Sequence, residues 1–432
     1  MSPAASTPKV IVSSSSVTLR DAIGALEGTW LSRVSRPTYV ERVGALDRLS
    51  DALLARDRDV LRVLPSAGVA FAAAFLRSSN LQHLVTRELP NPEALDRFVR
   101  IHERKSLRVL PRGVAAHWVA GNVPLLGLFS WAVSALVGNV NVVRLSSRMD
   151  DFLTPMLRLL ARTSLVGAEL AADTLVVQFP SDDEASHRAM STAANVRIAW
   201  GGDEAVRSVA ALPAAWDCET VVLGPRMSLA VIDGDLLTDR VLSRLASDVA
   251  YFDQQACSSP QWVFVKRPAG AATLERIVER FVHAFAAQAE ALGRHRLDLG
   301  ETFRIELDRA RVLMESGVLH RDRATSWTVA VLTAPDTRVA CANRFVQIIP
   351  FSDVEEVCRF IPSNVQTVVM LLNTVDTDRF SEAAARKGVH RFARPGEGNH
   401  FENPWDGIPL LSRLTRWTVR TDAAPGAEHR SR

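Results

Sequence analysis

The residues best suited to chemistry lie in four short segments, and the sharpest is Phe252-Asp253-Gln254-Gln255-Ala256-Cys257-Ser258-Ser259-Pro260-Gln261. A cysteine stands there between a helix and a strand, among polar side chains. A structural cysteine more often lies inside an apolar run, as Cys358 does in Glu356-Val357-Cys358-Arg359-Phe360. A thiolate nucleophile needs access and polar stabilisation. Cys257 is therefore either a nucleophile or a small core residue closing a helix. Cys218 and Cys341 are read as structural.

The second segment is Gly121-Asn122-Val123-Pro124-Leu125, where a strand turns into a helix. In acyl transfer the carbonyl oxygen becomes an oxyanion. An Asn122 amide held at a rigid turn could donate to it, together with the backbone N–H of the nucleophile. The same side chain could instead cap the helix. The third segment is Val142-Val143-Arg144-Leu145-Ser146-Ser147-Arg148, a strand end with two arginines and two hydroxyls. Ligands of open α/β sheets bind at such ends, and Arg with Ser suits a phosphate; a solvated loop is the alternative. In the fourth, Trp200-Gly201-Gly202-Asp203-Glu204, glycines between strand and helix would let a pyrophosphate or nicotinamide approach the backbone. A left-handed turn would also favour them.

Stepping outward from these segments, the elements needed to position them are present. Residues 17 to about 105 carry apolar residues at three- and four-residue spacing, as in Tyr39–Ala55 and Pro92–Ile101, and are expected to be helical. From Leu107 short apolar runs alternate with helices. Expected strands include Val109–Val119, Val140–Leu145, Thr174–Phe179, Val196–Trp200, Thr220–Leu223 and Ser228–Ile232. That alternation predicts a parallel sheet covered on both faces. A helix over Asp239–Gln255 leads into Cys257, and a second α/β unit follows with strands at Trp262–Val265, Thr328–Leu332, Phe345–Pro350 and Val365–Leu372. The expected division is a disordered tail (1–16), helices and a Rossmann-like domain (17–255), a domain carrying the cysteine (256–400) and a C-terminal segment with a disordered tail (401–432). Cys257 would then lie at a domain cleft, a common place for small ligands.

Composition narrows the classes. A chain of 432 residues accommodates two or three domains. A formal net charge of +3 is too small a bias for a nucleic-acid or membrane-surface protein. Four cysteines without a CxxC pair favour neither a metal site nor a disulfide framework, so a reducing cytoplasm is expected. The stretch Gly113–Val143 is nearly all apolar, but Asn122, Pro124, Gly138, Asn139 and Asn141 interrupt it. It is expected to be strand, turn, buried helix and strand rather than a membrane span.

In their order the four segments resemble the aldehyde dehydrogenase superfamily, and within it the LuxC-like acyl-CoA reductases, the fatty acid reductases of bacterial luminescence systems and their relatives. The resemblance rests on Gly121-Asn122-Val123-Pro124-Leu125-Leu126-Gly127, on Asp253-Gln254-Gln255-Ala256-Cys257-Ser258-Ser259-Pro260-Gln261 and on Trp405-Asp406-Gly407. It runs from about Leu107 to Trp417. It implies an α/β fold with a Rossmann-type NAD(P)-binding domain and an α/β catalytic domain. It implies Cys257 as nucleophile and Asn122 as the oxyanion-hole side chain. Arg144 and Ser146 match the Lys and Ser that hold the adenosine ribose in the family. Ser147 stands where NAD-preferring members often carry Glu; with Arg144 and Arg148 nearby, NADPH is expected over NADH. Gly201 and Gly202 match the loop near the nicotinamide.

The resemblance also has a departure. Hydrolytic aldehyde dehydrogenases carry a Glu-Leu-Gly-Gly segment whose Glu activates water, and the matching stretch here is Val222-Leu223-Gly224-Pro225. Val222 cannot act as a base. The implied reaction is therefore NADPH-dependent reduction of an acyl thioester, acyl-CoA or acyl-protein and fatty in kind, to the aldehyde through an acyl-cysteine. A CoA-acylating dehydrogenase running oxidatively would use the same residues, and a non-catalytic scaffold of this fold is the third possibility. An acyl-protein synthetase partner and a homo-oligomer are implied by the family alone. For the proton donor, His117, His390 and His400 stay open.

Overall fold

The computed structural model describes residues 9–12, 16–121, 125–147, 149–270, 273–294, 297–339 and 342–422. The chain forms two compact units, residues 1–224 with 401–432, and residues 225–400. In chain order the strands of the first unit are β1 (Lys9–Val12), β2 (Val99–His102), β3 (Lys105–Pro111), β4 (Val114–Trp118), β5 (Val140–Leu145), β6 (Thr174–Gln178), β7 (Val196–Trp200) and β8 (Glu219–Leu223). The second unit holds β9 (Met227–Asp233), β10 (Pro260–Lys266), β11 (Val318–Arg321), β12 (Thr328–Val331), β13 (Phe345–Phe351), β14 (Val365–Leu371) and β15 (Arg391–Ala393). The last strand, β16 (Thr415–Thr421), belongs to the first unit.

The main sheet of the first unit runs β1-β6-β5-β4-β7-β8, and every pairing in it is parallel. From β4 the chain goes outward through β5 and β6, then returns to the other side of β4 for β7 and β8. The order reverses between β4 and β7, and their carboxyl ends form the crevice where nucleotides bind in doubly wound folds. Every residue of β4 and β7 is buried, so both strands lack the alternation of a half-solvated sheet. The helix Leu125–Leu136 is buried along nearly its whole length, and its Trp131 Nε1 donates to Thr174 Oγ1 at 2.8 Å. Within the apolar stretch 113–143, β4, the helix Leu125–Leu136 and β5 thus lie in the core of this unit. No helix among the described residues is long and apolar enough to cross a membrane.

Helices Ser16–Leu31, Tyr39–Leu54, Arg58–Val63, Ser66–Phe75 and Ser78–Thr86 lie between β1 and β2 in the chain. Thr38 and Glu41 form a capping box at the start of the second. Its Arg42 reaches into the core and donates from Nε to the Leu136 carbonyl at 2.8 Å.

Three differences from the sequence reading have local physical causes. The run Val109–Val119 is two strands. Gly113 between them has φ +127°, and a Cβ there would fall 2.3 Å from Asn195 Oδ1. The chain turns at that glycine, so β3 joins an antiparallel sheet β16-β3-β2 while β4 enters the parallel one. The segment Pro92–Ile101 is a single 3-10 turn, Pro92–Leu95, followed by β2, because short apolar runs do not distinguish helix from strand. Inside the tail expected to be disordered, Lys9–Val12 pairs in parallel with β6. The division between units also falls at 224/225 rather than 255/256. The segment 401–422 returns to the first unit through β16 and through bonds such as Asn403 Nδ2 to the Leu84 carbonyl at 3.1 Å.

The second unit is a mostly parallel sheet ordered β11-β12-β13-β10-β9-β14-β15, with only the β11–β12 pair antiparallel. Its centre is β10, flanked by β9 and β13. One face is covered by the helices Asp239–Ala250 and Leu274–Ala291, whose Leu242, Leu245, Phe281 and Phe285 pack on Ala230, Val263 and Ile348.

Candidate active site

Cys257 stands just before the central strand of the second unit. Thr238 caps the helix Asp239–Ala250 by accepting the Val241 N–H. The helix ends sooner than the expected Gln255, because the next residues leave right-handed geometry. Phe252, Asp253 and Gln254 have φ of 53°, 51° and 61°. Left-handed backbone costs about 1–2 kcal/mol for each residue with a side chain, so three in succession must be held by their surroundings. Asp253 pairs with Arg344 at 2.8 Å. Gln255 Nε2 donates to Asn343 Oδ1 at 2.9 Å, and Gln254 Nε2 to the Pro260 carbonyl at 2.9 Å. Asn343 and Arg344 are themselves left-handed, and Arg344 Nη1 is anchored on the Ala289 carbonyl at 2.7 Å. Two strained turns brace each other next to the thiol. Backbone strain of this kind collects where a functional group must be aimed.

Cys257 itself is half-buried and in no disulfide, and its carbonyl accepts the Ser228 hydroxyl at 2.7 Å. The other described cysteines differ. Cys358 packs on the apolar core of the second unit and Cys218 on that of the first, and burial pushes both thiols up. Cys341 lies outside the described residues.

Asn122 and Arg148 also lie outside them. The first unit brings Gly121, Arg144, Ser146, Ser147, Gly201 and Gly202 to the carboxyl ends of β4, β5 and β7. Gly121 follows β4 so closely against β5 that a Cβ would stand 3.1 Å from Ser146 Oγ. Arg144 does not extend freely. Its Nη2 donates to the Phe179 carbonyl at 3.0 Å, and its guanidinium carbon lies 5.3 Å from the centre of the Phe179 ring. Arg144 Nε is buried and has no partner among the described residues. Ser146 is half-buried and Ser147 exposed.

Gly201 and Gly202 open the helix Asp203–Ala211 without a left-handed turn, since Gly202 has φ −67° and neither is among the positive-φ glycines. A Cβ on Gly202 would meet nothing within 4 Å. Open space in front of this backbone, rather than its conformation, distinguishes the position. On β8, Val222 is partly exposed and has no ionisable group to offer.

Of the candidate proton donors, His117 is fully buried. Its Nδ1 bonds Ser130 Oγ at 2.7 Å and its Nε2 bonds Asn141 Oδ1 at 3.1 Å. Desolvation holds its pKa down to about 4. It belongs to the core, and it carries a pH signature. The unfolded histidine takes a proton first as pH falls, so this stabilisation is complete above about 6.5 and is lost toward 4. At pH 5 the loss amounts to about 2 kcal/mol. In urea titrations at pH 7 and pH 5, wild type is expected to lose about 2 kcal/mol relative to His117→Gln over that interval. The comparison with the variant is needed because Asp248, pushed up to about 7 by burial, works in the opposite sense.

Sequence reading missed three residues. His187 accepts Trp118 Nε1 at 2.9 Å and stands edge-on to Phe179 at 4.9 Å, beside Arg144. Burial, then the Arg144 charge, lowers its pKa. Asp248 and Asn399 sit behind Cys257. The Gly396-Glu397-Gly398-Asn399 run was the signal available for them, since paired glycines mark a tight loop.

The two units together have the fold of the aldehyde dehydrogenases. The chain superposes on the P. syringae AldA indole-3-acetaldehyde dehydrogenase, solved with NAD+ and IAA, with TM-score 0.71 and 12% identity over 94% of this chain and 89% of that one. An oxidoreductase from Marinobacter aquaeolei gives TM-score 0.68 and 13% identity over 93% and 90%. More narrowly, the chain belongs to the acyl-CoA reductase (LuxC) family, whose pattern it matches over residues 38–417. It is 27% identical over 321 residues to the long-chain acyl-protein thioester reductase of Aliivibrio fischeri, covering 72% of this chain and 64% of that protein. It is 23% identical over 350 residues to the long-chain acyl-protein thioester reductase 2 of Photobacterium leiognathi, covering 78% of this chain and 70% of that protein.

Proposed function

We propose that this protein reduces an acyl thioester to the aldehyde, with Cys257 carrying the acyl group and NADPH as reductant. The observation that carries the reading is the half-buried Cys257 thiol at the end of a braced left-handed turn. Family membership and the names of the relatives support a fatty acyl group on CoA or on a protein as substrate.

In this reading Cys257 Sγ attacks the thioester carbon while the Asn122 amide and the Cys257 N–H donate to the oxyanion. The C–S bond to the donor breaks, the donor leaves as a thiol, and the acyl group stays on Cys257. Bound NADPH would supply the hydride that reduces it. The oxyanion of the resulting Cys257 thiohemiacetal then collapses, the C–S bond breaks, and aldehyde and the Cys257 thiolate are released. With Val222 in place of a carboxylate, water has no base to activate it, and the acyl enzyme survives until it is reduced.

For the cofactor, Arg144, Ser146, Ser147, Arg148, Gly201 and Gly202 are the holding residues. Arg144 fits an anionic group because its buried Nε lacks an acceptor among the described residues. No carboxylate at position 147 opposes a 2′-phosphate. Losing a hydrogen bond to a charged group costs about 1.5–3 kcal/mol. Arg144→Ala is therefore expected to raise the KM for NADPH roughly 10- to 100-fold and that for NADH much less, measured by cofactor oxidation with a fixed acyl thioester.

We also assign the protein to the cytoplasm, as a homo-oligomer served by an acyl-protein synthetase. The central test is intact-protein mass spectrometry after mixing with long-chain acyl-CoA. A single acyl adduct is expected, mapped to Cys257 and discharged as aldehyde on adding NADPH. Aldehyde formation with an unmodified Cys257 would exclude the covalent route.

A further inference from the structure

Behind Cys257, three segments of the second unit meet at one amide. Asn399 is buried, and its Nδ2 donates to the Asp248 carbonyl at 2.8 Å, in the last turn of the helix Asp239–Ala250. Its Oδ1 accepts two hydroxyls, Ser258 Oγ at 2.8 Å and Ser259 Oγ at 3.2 Å. Those serines follow Cys257 directly, and both are buried.

Asn399 is itself held. The Asp248 carboxylate accepts the Gly396 N–H at 2.6 Å and the Gly398 N–H at 3.0 Å, which fixes the loop carrying it. Arg391 donates to the Gly398 carbonyl at 2.7 Å and the Glu397 carbonyl at 2.7 Å. Gly398 approaches so closely that a Cβ there would lie 2.9 Å from Val369 Cγ2. On the other side, Ser228 holds the Cys257 carbonyl.

The loop 394–400 is therefore anchored without the Ser258 and Ser259 bonds, through Asp248 and Arg391. The Asn399 Oδ1 contacts add something else: they define the path of the peptide that leaves Cys257. Two buried hydroxyls beside a sheet core are costly unless bonded, and both are bonded to one atom.

We propose that Asn399 is a positioning residue for Cys257, fixing the place of Sγ through Ser258 and Ser259. This rests on the reading of Cys257 as the acyl-accepting nucleophile. Displacing a reacting group by about 1 Å can cost roughly 10²-fold in rate. Because Asn399 touches neither acyl donor nor leaving group in this scheme, its loss lowers the rate of acylation and leaves the KM for acyl-CoA nearly unchanged.

The test is single-turnover acylation of Cys257 by long-chain acyl-CoA, followed by quenched mass spectrometry. The proteins are wild type, Asn399→Ala, Ser258→Ala, Ser258→Thr and the Asn399→Ala/Ser258→Ala double variant. Asn399→Ala and Ser258→Ala are each expected to slow acylation about 10- to 100-fold with KM within about twofold. The double variant is expected to be no slower than Asn399→Ala, since both changes remove one interaction. Ser258→Thr, which keeps the hydroxyl, is expected to retain most of the wild-type rate. Should Asn399→Ala fail to fold, Ser258→Ala and Ser258→Thr carry the test alone. Wild-type acylation rates in Ser258→Ala, or fully additive losses in the double variant, would overturn the proposal. Absence of any Cys257 adduct in wild type would instead overturn the nucleophile reading on which it rests.

Discussion

Cys257→Ala is expected to lose aldehyde formation almost completely, with kcat reduced by roughly 10⁴-fold or more, and to take up no radiolabelled acyl group. The expectation follows from the chemistry the side chain alone can do. Alanine keeps the backbone and removes only Sγ, from a half-buried position outside the apolar clusters. Little cavity is left, so the melting temperature should move by a few degrees at most. The braced turn at 252–254 is held through Asp253, Gln254 and Gln255 by Arg344, the Pro260 carbonyl and Asn343. NADPH binding, followed by the thermal shift it causes, should stay within about twofold of wild type. Chemistry is then lost while fold and cofactor binding persist. Covalent acyl label retained on the variant would end the nucleophile assignment, and lost cofactor binding would mean the substitution had done more than remove a thiol.

How much of this was legible in the sequence depended on what kind of signal each element left. Buried parallel strands announced themselves as short Val-rich runs, as in Val140-Asn141-Val142-Val143, because both faces are covered and only apolar residues fit. Gly113 was visible as a residue but not as a break. Its meaning depends on Asn195, 82 positions later, standing where a Cβ would go. The Cys257 segment was legible as chemistry, yet its geometry was not. Phe252, Asp253 and Gln254 are ordinary helix-compatible residues, and it is Arg344 and Asn343, far along the chain, that hold their surroundings left-handed. For the paired glycines 201 and 202 the sequence left two readings, backbone approach by a ligand or a left-handed turn, and neither glycine takes a left-handed conformation. Asn399 left only the sign of a tight loop, the glycines 396 and 398 before it, since its partners at 248, 258 and 259 converge only in three dimensions.

Asn122 is the residue on which sequence reasoning leaves two roles, and one pair of substitutions separates them. As a helix cap, its value is stability, about 1 kcal/mol on replacement by alanine. As an oxyanion donor, its value is rate, about 10²–10³ in kcat. Asn122→Ala alone lowers both and so distinguishes them only by size. Asn122→Asp is the discriminating variant. Aspartate caps a helix as well as asparagine does, so the unfolding free energy should return to the wild-type value. Its carboxylate, however, offers no N–H and places a negative charge against the developing one. Acylation of Cys257 is therefore expected to be at least as slow in Asn122→Asp as in Asn122→Ala, with KM for acyl-CoA little changed in either. The comparison uses urea unfolding and single-turnover acylation on the same preparations. An Asn122→Asp protein that acylates at the wild-type rate would leave Asn122 as a cap and require another donor for the oxyanion, beyond the Cys257 N–H.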